Sequence, residues 1–198
     1  MRIILEKLEE RDDIRLSCLI RVLAATGMRR GEAVALRWSD ISLEDRLIEV
    51  NKAAVTAKGA LIVKSPKTQA SVRTIAIDAN TAQKLEILKE TQASFAREVG
   101  FTLSEEAFAF SYYPDGSTPP HPDTVSHHFK AAAEACGITD IHIHSLRHFQ
   151  ATAIDSLVSE RQKQARLGWS TSHMARHYTD AIAEEDRRAA EEIGDMLG

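Results

Sequence analysis

Three short runs of strand-forming residues, at 47–50, 61–64 and 72–77, fall close together in a chain otherwise patterned for helices. Alternating apolar and polar residues over four to six positions suit a half-buried strand. The three runs sit inside a chain that otherwise reads as helical. The expected class is therefore α+β: mainly helical, with one small antiparallel sheet. Ser65-Pro66-Lys67-Thr68 reads as the turn joining the second and third strands, which puts Lys67 at a hairpin tip.

Helix signals flank this sheet. Asp12 or Asp13 can cap a helix that carries Ile14, Leu16, Leu19, Ile20 and Leu23 and stops at Thr26-Gly27. A short helix follows Arg30-Gly31, and Asp78 caps a long one reaching about Val99. The stretch Tyr113 to Pro120 is a surface loop. Further helices are expected at 123–136, 144–157, 160–167, 170–178 and 183–197, whereas residues 1–10 show no clear fold of their own. A chain of 198 residues fits one domain able to bury a core without disulfides or metal. Cys18 and Cys136, one in an apolar run and one before Gly137, read as buried reduced thiols, which favours the cytoplasm. The apolar runs are short and broken by charge, so no membrane span is expected.

The net charge of −4 argues against a generic nucleic-acid binder. Its distribution matters more: residues 184–195 hold six acids against two bases, so residues 1–183 sum formally to zero. A neutral body can still present one basic face to phosphates.

The densest chemistry lies between His144 and Tyr178. His144 and Arg147, three apart on a helix, share a face, while Leu146, Phe149, Ala153 and Leu157 take another side. Guanidinium forks suit phosphate oxygens, and a tyrosine oxygen can act as a covalent nucleophile. Tyr178 sits between His177 and Thr179-Asp180, a polar setting for an aromatic side chain. Two other segments read blandly alone: Arg29-Arg30 as a solvated pair after a helix stop, and Lys67 as a solvated turn lysine.

Together these segments resemble the catalytic domain of the tyrosine recombinases, the phage integrase family, from about Asp13 to Tyr178. The family's Thr-Gly-Leu-Arg-x-x-Glu pattern matches residues 26–32 and points to Arg29 rather than Arg30. Its His-x-Leu-Arg-His box is present in full as His144 to His148, and its hairpin lysine matches Lys67 in a Pro-Lys-Thr segment. Its Leu-Gly-His segment is matched by Leu167-Gly168-Trp169, with tryptophan where histidine is usual, and its tyrosine by Tyr178. The resemblance implies a catalytic set of Arg29, Lys67, His144, Arg147, Trp169 and Tyr178. Glu32 and His148 would support it, and Arg30, Lys64 and Arg73 would meet DNA. An indole donates one hydrogen bond but moves no proton at neutral pH, so Trp169 would orient rather than catalyse.

The function implied by the resemblance is that of a site-specific recombinase or integrase acting on double-stranded DNA through a 3′-phosphotyrosine, with no metal, cofactor or ATP. The full-length protein would work as a tetramer on DNA, and the isolated domain as a monomer. Residues 1–182 would form the catalytic domain. The helix at 183–198 would dock in cis or on a neighbouring protomer, and the family's preceding helical DNA-clamping domain is expected to be absent. Rival readings are a type IB topoisomerase, a DNA-binding regulator without chemistry, and a metalloenzyme using His142, His144 and His148.

Overall fold

The computed structural model describes residues 1–10, 13–57, 59–65, 72–169 and 179–198, with side chains in the last segment from 184 onward. Lys67, Tyr178 and the helix expected at 170–178 lie outside the described residues.

One helix organises the core. In α2 (Ile14–Thr26) every residue from Leu16 onward is buried. Asp13 caps it by accepting from the Leu16 amide at 3.1 Å, and Gly27 ends it with φ 64°. A helix apolar on all sides belongs inside. It packs against α1 (Arg2–Glu9), α3 (Arg30–Val34), α4 (Ala79–Glu98), α5 (Pro122–Ala135), α6 (Ser145–Ala153) and α8 (Thr179–Leu197). The remaining helix, α7 (Glu160–Leu167), packs against α8 and the last strand.

Residues 1–10, expected to lack a fold, form α1, which buries Ile4, Leu5 and Leu8. Its first residue supplies no side-chain cap, so the usual start signal is missing and packing decides. The sheet also differs from expectation. Strands β1 (Ile41–Ser42), β2 (Leu47–Val50) and β5 (Arg73–Ala76) form one antiparallel sheet in the order β1-β2-β5. Strands β3 (Ala53–Ala57) and β4 (Ala60–Lys64) form a separate ribbon. Thus the runs expected to pair across Lys67 belong to different sheets: β4 pairs with β3, and β5 with β2. Alanine-rich β3 carries a weak strand signal, and Gly59, at φ 78°, suits the tight reversal to β4. Cys18 is buried, and burial pushes its thiol up to about 12. Cys136, expected buried, is only half-buried, since it sits at the surface end of α5.

In this structure the C-terminal helix lies against its own chain. It starts at Thr179 and lays Ala189, Ala190, Ile193 and Leu197 on α1, α2, α4, α7 and β5, whereas Met196 faces outward. A carboxylate sits on this apolar face. Asp186 accepts from Arg166 Nη1 at 2.6 Å, Gln162 Nε2 at 3.0 Å and the Ala76 amide at 2.5 Å. Arg166 also donates to the carbonyls of Ala25 and Ala76. Four elements therefore meet on one buried ion pair. Removing one partner strands a buried charge. Asp186→Ala is expected to lower unfolding free energy by about 3–5 kcal/mol in urea denaturation. A loss under about 1 kcal/mol would show that the pair does not hold α8.

Candidate phosphate-binding site

The site grows from the end of α2. Gly27 turns the chain so that Met28 is buried and Arg29 becomes the N-cap of α3. A side chain here would be strained, since Gly27 holds φ 64° and a Cβ would stand 2.8 Å from Leu167 Cδ2 and Gln150 Oε1. Gly31 lets α3 press on the ribbon, since a Cβ there would lie 2.6 Å from the Ala54 carbonyl.

Glu32, in the first turn of α3, reaches back to cap the Arg29 backbone. The Arg29 amide donates to Glu32 Oε2 at 2.8 Å, and Arg29 Nη1 donates to Oε1 at 3.0 Å. Arg29 Nη2 reaches the Gly168 carbonyl at 3.4 Å. From the other side, Arg147 on α6 donates to the Leu167 carbonyl at 2.5 Å and to the Gly27 carbonyl at 2.6 Å. Two arginines distant in sequence thus converge on successive carbonyls of one turn. Arg29 remains half exposed, while Arg147 is buried. Burial, followed by repulsion from Arg29, pushes Arg147 down to about 10, with Glu32 opposing; it stays charged at neutral pH.

His144 is the N-cap of α6, and its ring meets that of His148 edge to face, with centroids 5.0 Å apart. Both rings are exposed. A cleft of about 320 Å³ is lined by Met28, Arg30, His142, Ile143, His144 and Arg147. Trp169 follows the left-handed Gly168 and is 43% exposed. Its indole lies 5.9 Å from the Arg147 guanidinium carbon and 5.7 Å from Lys163 Nζ, in cation–π range. Lys163 is anchored to Asp155 at 2.5 Å. The sequence reading missed Lys163; its place one turn before Leu167 on α7 was the available signal.

The expected DNA contacts divide. Lys64 is exposed at the end of β4. Arg30 is held by Ser126 Oγ and by Asp123 at 3.2 Å, which ties α5 to the rim. Arg73 does not face solvent: its side chain is buried in an ion pair with Glu32 of α3. Burial pushes the Glu32 carboxyl up, but the Arg73 and Arg29 bonds outweigh it and hold Glu32 below the ordinary carboxylate range. Among the described residues, no group of three or more His, Cys, Asp or Glu side chains gathers as metal ligands, and no helix is long and apolar enough to cross a membrane. Arg147 and Arg30 line the cleft with His144, and Arg29 stands half exposed at the adjoining turn, an arrangement suited to a phosphate group.

Partial burial, then His148, Arg147 and Arg29, lower the pKa of His144 below the ordinary histidine value of about 6.5. Each neighbouring cation disfavours imidazolium, so removing one raises the pKa. In a pH titration followed by NMR, His144 is expected to titrate below a free histidine, and Arg29→Ala to move the midpoint upward. A midpoint unmoved by Arg29→Ala would contradict this electrostatic grouping.

Comparison with known proteins bears on family and fold. The sequence profile of the phage integrase family matches residues 1–185. Over 137 residues the chain is 31% identical to the ICEBs1 integrase of Bacillus subtilis (strain 168), covering 69% of this chain and 36% of the relative. It is 24% identical over 195 residues to a tyrosine recombinase XerC-like protein of Caldanaerobacter subterraneus subsp. tengcongensis, covering 92% and 50%. The chain thus spans half or less of these relatives' lengths. In fold it is similar to the Tn1549 transposon integrase solved in complex with transposon right end DNA (TM-score 0.64, 21% identity, 88% of this chain and 59% of that one). It is also similar to XerA recombinase (TM-score 0.63, 20% identity, 92% and 59%).

Proposed function

The chain belongs to the phage integrase family, and from that premise we propose that it is the DNA-cleaving and rejoining part of a site-specific recombinase, with Tyr178 as nucleophile. One observation supports the reading: Arg29 and Arg147, far apart in sequence, converge on successive carbonyls of the Leu167–Gly168 turn, and Arg147 also lines a cleft with His144 and Arg30.

The Tyr178 oxygen attacks a backbone phosphorus of double-stranded DNA. A phosphorus–phenolate bond forms, the bond to the 5′ oxygen breaks, and a 3′-phosphotyrosine results. Arg29 and Arg147 hold the non-bridging oxygens and stabilise the charge that builds there. Lys67 protonates the departing 5′ oxygen, and His144 assists removal of the phenolic proton. A phenol of pKa about 10 is a weak nucleophile at neutral pH. Nearby guanidinium charge favours phenolate, so the arginines act on nucleophile and transition state alike. Trp169 orients the phosphate. Guanidinium and ammonium groups supply the positive charge, so the reading requires no metal or cofactor, and the covalent link conserves the bond without ATP. A 5′-hydroxyl of another strand reverses the step and completes exchange, in an assembly of several protomers on DNA.

A pool of nicked suicide duplexes with randomised cores tests this. The chain is expected to yield a covalent protein–DNA band on a denaturing gel. Tyr178→Phe is expected to yield none while retaining a gel shift, and Arg29→Ala to slow adduct formation about 100-fold. A covalent band from Tyr178→Phe, or none from the parent chain, would sink the assignment.

A further inference from the structure

Glu32 is the only anion bonded directly to Arg29 among the described residues, yet its carboxylate is shared. Oε1 accepts from Arg29 Nη1 at 3.0 Å and from Arg73 Nη1 at 3.3 Å. Oε2 accepts from the Arg29 amide at 2.8 Å and from Arg73 Nη2 at 2.8 Å. The remaining Arg73 donor, Nε, bonds the Arg166 carbonyl at 2.9 Å, within the turn that carries Gly168 and Trp169. A Cβ on Gly168 would stand 3.0 Å from Arg73 Nη1, so the glycine leaves room for this guanidinium. The Arg73 side chain is 7% exposed against 52% for Arg29, so only Arg29 can reach a phosphate outside.

We infer that Arg73 is a positioning residue: it neutralises Glu32 so that the charge of Arg29 stays available to phosphate, and it holds the Leu167–Trp169 turn against that pair. The charge count gives the reason. Two guanidinium groups and one carboxylate leave one positive charge, and it sits on the exposed partner. Without Arg73, Arg29 and Glu32 form a neutral pair, and a buried carboxylate draws the remaining guanidinium inward. Arg29 then loses charge and reach together. A bidentate fork is needed because both carboxylate oxygens are shared, which a lysine point charge cannot reproduce. This inference rests on the recombinase reading for its catalytic consequence but not for the bracing itself.

The test has a catalytic arm and an independent one. With a duplex recovered from the suicide pool, Arg73→Gln is expected to slow covalent cleavage about 100-fold, with DNA affinity within about threefold of the parent. Arg73→Lys should recover only part of the rate. The double variant Glu32→Gln with Arg73→Gln should cleave at least about tenfold faster than Arg73→Gln alone, because no unpaired carboxylate remains to capture Arg29. The groups facing Glu32 are Arg29 from the α2–α3 junction, Arg73 from β5 and Arg147 from α6. Loss of Arg73 raises the Glu32 titration, so the Arg73→Gln deficit should narrow on acidification as Glu32 takes a proton. Cleavage by Arg73→Gln within threefold of the parent, or a double variant no faster than the single, would overturn the inference. Should the parent chain form no adduct, the recombinase reading fails, and carbon-detected NMR of the Glu32 carboxyl decides the bracing. An upward shift in Arg73→Gln, tracked in parallel by the Arg29 amide, supports it; an unchanged titration overturns it.

Discussion

A buried carboxylate between two guanidinium groups governs the arrangement of this site. Glu32 is fixed by its bond to the Arg29 amide at the start of α3, and β5 brings Arg73 to it. A buried carboxylate is costly unless paired and fully hydrogen-bonded. Here each oxygen accepts two bonds, one from each arginine. This fixes the backbone of Arg29 as well as its side chain. The Leu167–Gly168 turn, bonded by Arg29, Arg73 and Arg147 at successive carbonyls, is held to the same cluster.

The turn is also joined to the C-terminal helix. Arg166 offers its carbonyl to Arg73 and its guanidinium to Asp186 of α8. Contacts therefore run without a break from the exposed Arg29 to the helix that comes after Tyr178 in the chain. The packing of α8 is part of the same construction, because Asp186 accepts from the Ala76 amide of β5.

Much of this was legible in the sequence, and the failures have physical causes. The stop at Gly27, the caps at Asp13 and Asp78, and the His144–His148 box are local devices encoded in a few residues. They stand where the sequence predicts. Helix α1 lacks a cap and β3 is mostly alanine, so both depend on partners remote in sequence. Asp186 reads as part of an acidic tail, yet it faces the core, where the Arg166 ion pair and two further hydrogen bonds make its burial tolerable. Arg73 reads as a basic strand residue beside the turn lysine. Its true neighbour, Glu32, is visible only once β5 pairs with β2. Arg29, Glu32, His144, Arg147 and Trp169 gather around one turn, while Lys67 and Tyr178 are assigned by the sequence pattern.

The nucleophile is the central claim, and its most direct measurement is chemical identification of the linked residue. A trapped protein–DNA adduct, digested with nuclease and trypsin, can be read by mass spectrometry. The account predicts a nucleotide remnant on the peptide spanning residues 177–187, with fragment ions placing it on Tyr178. A remnant on any other side chain, or an adduct whose peptide 177–187 carries no added mass, would contradict it.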